Sequence, residues 1–205
     1  MDALIVVDVQ NDFLPGGALA VPDGDAVIPV INQLVPKFDL IVATQDWHPS
    51  DHGSFASQHE GCSIGEQIEL NGLPQILWPD HCIQNSVGAQ FADSLSPAAI
   101  QNVFQKGTDV SVDSYSGFFD NGHRNATGLG DFLSEQGVKR VYVTGLATDY
   151  CVRFTAQDAH QLGFEVVIIE DACRGVDIND GDCIKALESL AAAGCGRILS
   201  SELVG

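Results

Sequence analysis

The run Ala3-Leu-Ile-Val-Val-Asp8 constrains this chain more than any other stretch. Five consecutive apolar residues without polar alternation make a strand that must be covered on both faces. That requirement points to parallel strands with helices packed on each side. Similar β-rich runs recur at 38–44, 101–105, 139–145, 164–170 and 196–199, the first run being 3–8. Stretches with helical patterning alternate with them at 24–36, 126–137, 150–162 and 179–193. This alternation is the pattern of βαβ units, hence an α/β fold. In the last helix Ile184, Leu187 and Leu190 recur at intervals of three ahead of Gly194, and that face reads as core. Residues 46–99 lack sustained periodicity and are rich in Gly, Pro, Ser and His, so they read as a long excursion around a site. Ser114 to Gly130 reads as a second site-lining loop. No repeat, linker or further domain is visible, and 1–205 reads as one domain.

Ligands of open α/β sheets bind beyond the carboxyl ends of the parallel strands, so the residues that end these runs are the ones to inspect. Asp8 ends the first run, where a carboxylate is expensive. Lys106 ends Val103-Phe-Gln-Lys106, just before the turn signal Gly-Thr-Asp109. Cys151 follows the strand-like run in Gly145-Leu-Ala-Thr-Asp-Tyr-Cys151-Val and precedes a helical segment. Taken singly, each has an ordinary alternative: a buried structural cysteine, or a residue of an ion pair. Together they make a nucleophile, a base and a cation. Asp8 is placed to take the thiol proton, while Lys106 and the helix N-terminus are expected to lower the thiol pKa toward thiolate.

A set of metal-ligand types accompanies them. Asp46-Trp-His48-Pro-Ser-Asp-His52 supplies a carboxylate and two imidazoles after the second strand, and Trp78-Pro-Asp-His81-Cys82 supplies another imidazole. Asp-x-His alone is a weak signal, and a solvated His-rich loop is the plain alternative. With three protein ligands such a set suits Zn, Fe or Mn and leaves a position open.

In their order along the chain, Asp8-Val-Gln-Asn-Asp-Phe13, Asp46-Trp-His48-Pro, Trp78-Pro-Asp-His81-Cys, Lys106-Gly-Thr-Asp109, Tyr115-Ser-Gly-Phe118 and Gly145-Leu-Ala-Thr-Asp-Tyr-Cys151-Val resemble the nicotinamidase (pyrazinamidase) branch of the isochorismatase-like cysteine hydrolases. The resemblance implies an α/β three-layer sandwich with a central, mostly parallel six-stranded sheet and helices on both faces. It implies Asp8, Lys106 and Cys151 as catalytic triad, and Asp46, His48 and His81 as ligands of one divalent metal ion, zinc first and iron or manganese as alternatives. Members of this branch differ in whether a further loop residue joins the metal, which makes His52 an additional candidate. Backbone N–H groups of Ala147 and Cys151 are implied as the oxyanion hole, a cis peptide at Leu146-Ala147 accompanies them, and Phe13, Trp78 and Tyr115 line the substrate ring. The implied reaction is hydrolysis of nicotinamide to nicotinate and ammonia through a Cys thioester, in NAD salvage, with pyrazinamide as a further substrate. Another small carbamoyl or ureido amide is the second reading, and a non-catalytic binding protein on the same fold the third, since fold alone does not fix function.

Composition agrees with a soluble enzyme. At 205 residues with 45% hydrophobic content the chain is long enough for a sizeable core. No apolar run reaches membrane-spanning length, and the opening Met1-Asp-Ala is acidic where a secretion signal is basic, so the expected location is the cytoplasm. Six cysteines without Cys-x-x-Cys spacing need not pair. With 28 acidic against 9 basic residues the formal charge is −19, which repels nucleic acid and anionic membranes. A small neutral amide is compatible with that field, though charge alone selects no partner, and the sequence leaves open whether the chain forms a homo-oligomer.

Overall fold

The first run becomes the central strand because its side chains divide between two cores. The structure, a computed structural model, describes residues 1–204. Strand β1 (Asp2–Val7) sends Ala3, Ile5 and Val7 into one core and Leu4 and Val6 into the other, all at 1% exposure or less. Each of the Leu, Ile and Val side chains contributes about 1.5–3 kcal/mol through burial. Strand β2 (Leu40–Asp46) follows, then a short hairpin of β3 (Gln67–Leu70) and β4 (Leu73–Ile76), then β5 (Asn102–Lys106), β6 (Arg140–Leu146), β7 (Glu165–Arg174) and β8 (Gly196–Ile198). Six of these form one sheet in the order β5-β2-β1-β6-β7-β8, and every pairing in it is parallel. Helix α1 (Val27–Leu34) buries Val27, Ile28, Ile31 and Leu34 on one face of the sheet. On the other face lie α2 (Leu129–Glu135), α3 (Arg153–Gln161) and α4 (Asp182–Ala192), and a last turn, α5 (Ser201–Val204), closes the described chain. The expected three-layer α/β sandwich is therefore the architecture observed.

The chain builds outward from β1 through β2 to β5, then crosses to β6 on the other side of β1. Beyond the carboxyl ends at such a reversal a crevice opens, and four neighbouring strands, β5-β2-β1-β6, end around it. Between Val143 and Gly145 the β6–β7 register shifts. Gly145 has φ +110, and a Cβ there would fall on the Val7 backbone, so only glycine lets the two central strands approach.

Two sequence expectations need correction. Ile184 is 63% exposed, while Ala186 and Leu190 are buried. A strict three-residue spacing drifts about 60° per step on a helix turning about 100° per residue, so Ile184 lies well off the face of Leu190. The excursion at 46–99 also contains the β3–β4 hairpin, paired antiparallel through Asn71 (φ 50) and Gly72 (φ 82). The Asn-Gly dipeptide is the hairpin signal that marks it, because both central residues of that turn need positive φ.

Candidate active site

Asp8 follows β1 directly, and its φ of 49 turns the chain off the strand line. Its side chain is fully buried: Oδ1 accepts from the Thr44 hydroxyl at 2.6 Å, and Oδ2 stands 2.9 Å from the Lys106 Nζ. Lys106 ends β5 in register with Asp46, which ends β2. The ammonium makes a short contact with Asp46 Oδ1, donates to the Ser114 carbonyl at 2.9 Å, and reaches Cys151 Sγ at 3.4 Å. Cys151 sits in a single π-helical turn, Thr148–Val152, that follows the cis Leu146–Ala147 peptide and precedes α3. The sequence placed the helix start at 150; regular α-helix begins at Arg153, and the thiol belongs to the wider turn before it. The Ala147 carbonyl accepts from the N–H groups of Tyr150 and Val152, both at 3.1 Å.

The electrostatics revise one expectation. Burial opposes the charge on Lys106, but Asp46 and Asp8 outweigh it and hold the ammonium well above the usual lysine value. Burial raises Asp8 above the ordinary carboxylate range, with Lys106 pulling the other way. Burial likewise pushes the Cys151 thiol well above its usual value, and Lys106 offsets this only in part. Lys106 lowers it, but the negative charges of Asp8 and Asp46 add to burial in raising it. Cys151 thus rests as a thiol beside the Asp8 carboxyl, and the pre-formed thiolate expected from the sequence is not supported.

Next to the triad lies a convergent donor set. His48 Nε2 is 3.6 Å and His81 Nε2 3.8 Å from Asp46 Oδ2. The opposite ring nitrogens are tied to main-chain carbonyls, His48 Nδ1 to Gly107 at 2.9 Å and His81 Nδ1 to Pro79 at 2.8 Å. This fixes the tautomer that leaves both Nε2 atoms free to ligate, the usual outer-shell arrangement of metal-binding histidines. Burial and the neighbouring His48 push His81 down to about 4, so its imidazole is neutral, as a ligand must be. Two imidazoles and a carboxylate with ligating atoms within 4.8 Å of one another fit a divalent metal. His52 stands differently. Its Nδ1 pairs with the Ser54 hydroxyl at 2.7 Å, its Nε2 has no partner among the described residues, and it clusters with His48 and Asp113, sharing only His48 with the Asp46–His48–His81 set.

Three further residues shape the site. Gln10 clamps Asp46 from both sides, donating to its carbonyl at 2.8 Å and accepting from its N–H at 2.8 Å. Asp12 accepts from the Cys82 N–H at 2.7 Å and so holds the turn that presents His81. Both lie inside the Asp8-to-Phe13 motif, where a polar side chain at the mouth of a buried strand is the available signal. Asp113, buried with Oδ1 on the Ser114 N–H and Oδ2 on Gln75, lies in a Gly- and Ser-rich loop without any such marker.

Over the sulfur is a narrow slot of about 30 Å³, lined by Phe13, Trp78, Tyr115 and Tyr150 with Asp46, His81 and Cys151. The three aromatic residues expected to line a substrate ring are therefore together. Tyr115 is held by hydrogen bonds donated to its hydroxyl from Trp78 Nε1 at 3.1 Å and Gln75 Nε2 at 3.2 Å.

Residues 2–202 match the family described as isochorismatase domain. The chain is 52% identical over 196 residues to the nicotinamidase of Escherichia coli (strain K12), covering 94% of this chain and 92% of that protein. Among solved structures it is similar to the Acinetobacter baumanii nicotinamidase/pyrazinamidase, with a TM-score of 0.95, 48% identity, and 98% and 97% of the two chains covered. It is also similar to the pyrazinamidase of Pyrococcus horikoshii solved in complex with zinc, with a TM-score of 0.79, 42% identity, and 97% and 98% of the two chains covered.

Proposed function

The chain belongs to the isochorismatase family, and on that premise we propose that it hydrolyses nicotinamide to nicotinate and ammonia, with pyrazinamide as a further substrate, in NAD salvage. The observation that carries this reading is the approach of one buried ammonium to within 2.9 Å of Asp8 and 3.4 Å of Cys151, beside a three-donor metal set. Cys151 Sγ attacks the carboxamide carbon as its proton passes to Asp8. The oxyanion so formed is held by the N–H groups of Ala147 and Cys151, each such donor being typically worth about 3 kcal/mol. Asp8 returns the proton to the departing nitrogen, the C–N bond breaks, and ammonia leaves a thioester on Cys151. Water then cleaves the thioester, with Asp8 as base, and releases the carboxylate and the thiol.

Lys106 keeps Asp8 charged and fixed without entering the bond changes. Phe13, Trp78 and Tyr115 sandwich the ring and exclude water from the sulfur. Asp46, His48 and His81 would hold the metal, zinc by the chemistry of two imidazoles and a carboxylate, and when bound it supplies an electron-pair acceptor for the pyridine nitrogen. Ammonia release from nicotinamide by the purified, metal-loaded protein tests the proposal. No release under those conditions overturns it.

A further inference from the structure

Beside the thiol slot lies a second, roomier cavity of about 370 Å³, and Tyr115 and Tyr150 line both. Arg153, the first residue of α3 and two positions past Cys151, lines this second cavity. Among the described residues Arg153 makes no ion pair, and its buried Nε has no hydrogen-bond partner. In a chain with 28 acidic and 9 basic residues, an arginine without a carboxylate is an uncommitted cation. The two carboxylates of the same wall are engaged elsewhere. Asp149 accepts from the N–H groups of Val176 at 2.9 Å and Asp177 at 2.8 Å, and Asp182 accepts from Asn179 at 3.0 Å and from Lys185 at 3.2 Å.

The rest of the wall suits a flat apolar body. The guanidinium carbon lies 5.4 Å from the centre of the Phe154 ring, and Tyr150, Pro74 and Ile76 complete that side. A guanidinium fork next to aromatic rings recognises a carboxylate borne on a planar ring. The proposed reaction turns a neutral amide into such an anion inside the slot over Cys151. Across the Tyr115–Tyr150 partition stands the Arg153 guanidinium, which pairs with no carboxylate among the described residues.

We propose that this cavity is a second binding site, specific for the aromatic carboxylate product, with Arg153 as its anchor and Tyr150 as the partition the product passes on leaving the thiol slot. The inference rests on nicotinamide hydrolysis as the activity. A product molecule held there coexists with substrate in the slot, so nicotinate should affect both slope and intercept of reciprocal rate plots. Arg153→Gln should raise the intercept inhibition constant at least fivefold and leave the slope effect in place, and Arg153→Lys should restore most of the intercept effect. Purely competitive inhibition in the unmodified enzyme, or an intercept constant that Arg153→Gln leaves unchanged, overturns the site. So does an equal intercept effect from inorganic phosphate, because the cavity would then read charge without the ring. If nicotinamide yields no ammonia at all, the activity has failed and the cavity is judged by calorimetry of nicotinate with the Cys151→Ala protein. Loss of one of two binding events on adding Arg153→Gln supports the site, and unaltered binding overturns it.

Discussion

Lys106 and Asp8 form an ion pair of 2.9 Å in which neither side chain reaches solvent. Removing the cation leaves Asp8 and Asp46 buried without their counter-charge, and breaking a buried pair costs about 3–5 kcal/mol. Lys106→Met should therefore lose both turnover and stability, read as a lowered denaturation midpoint together with absent ammonia release. A variant that kept its midpoint would show that the metal alone neutralises the two carboxylates.

Cys151→Ala should leave a folded, metal-loaded protein without measurable turnover, since no other group can carry the acyl chain. Because burial pushes the thiol well above its usual value, iodoacetamide should label Cys151 in the native protein slowly at pH 7 and faster as pH rises. Rapid labelling at pH 7 with a flat profile above it would restore the pre-formed thiolate.

The base must be ionised to accept the thiol proton, and burial places the Asp8 pKa above the usual 3.8. Turnover should accordingly fall as pH drops through a midpoint above 3.8. Lys106, held well above 10.5, stays charged and adds no alkaline limb below that value. The profile of kcat/KM, with metal content checked at each pH, decides this; an acid midpoint at or below 3.8 would contradict it.

His48→Ala and His81→Ala should each lose bound metal and most activity toward nicotinamide while Cys151 remains present and the fold intact. Loss of one of three ligands lowers affinity steeply, and an unanchored ring spends little time in line with the sulfur. Metal analysis and steady-state rates on the same preparations check the pairing of the two losses. Full activity in metal-free protein would favour a carbamoyl or ureido substrate.

Gly107 has φ +63, and a Cβ there would fall on the His48 ring. Gly107→Ala should cost about 1–2 kcal/mol from the left-handed backbone alone and should also displace His48, weakening metal binding. Equilibrium metal titration against thermal unfolding separates the two effects, and a variant with unchanged affinity would show that His48 adapts.

Most of the site was legible because its residues close strands. Asp8, Asp46 and Lys106 end apolar runs whose register is set by burial, and the strand-end rule brings such residues together without any knowledge of loops. Gln10, Asp12 and Asp113 act through the loops they pin, and nothing in a polar side chain's identity says which distant N–H it will accept from. The thiol's protonation is not legible in the sequence for a related reason. Its proximity to Lys106 is readable, whereas the nearness of Asp46, whose charge adds to burial in raising the thiol, depends on a strand pairing between β2 and β5 that only the folded sheet reveals. The exposed Ile184 is a case of a repeat that looks helical but walks around the helix.

Asp8, Asp46 and Lys106 stand at strand ends and Cys151 on the turn off β6, whereas His48, His81 and Trp78 come from the excursion at 46–99. The two sets meet at Asp46, at the Gly107 carbonyl that holds His48, and in the slot over the sulfur. Rewriting that one surface excursion changes the Trp78 and histidine side of the slot, while Phe13, Tyr115 and the strand ends stay in place.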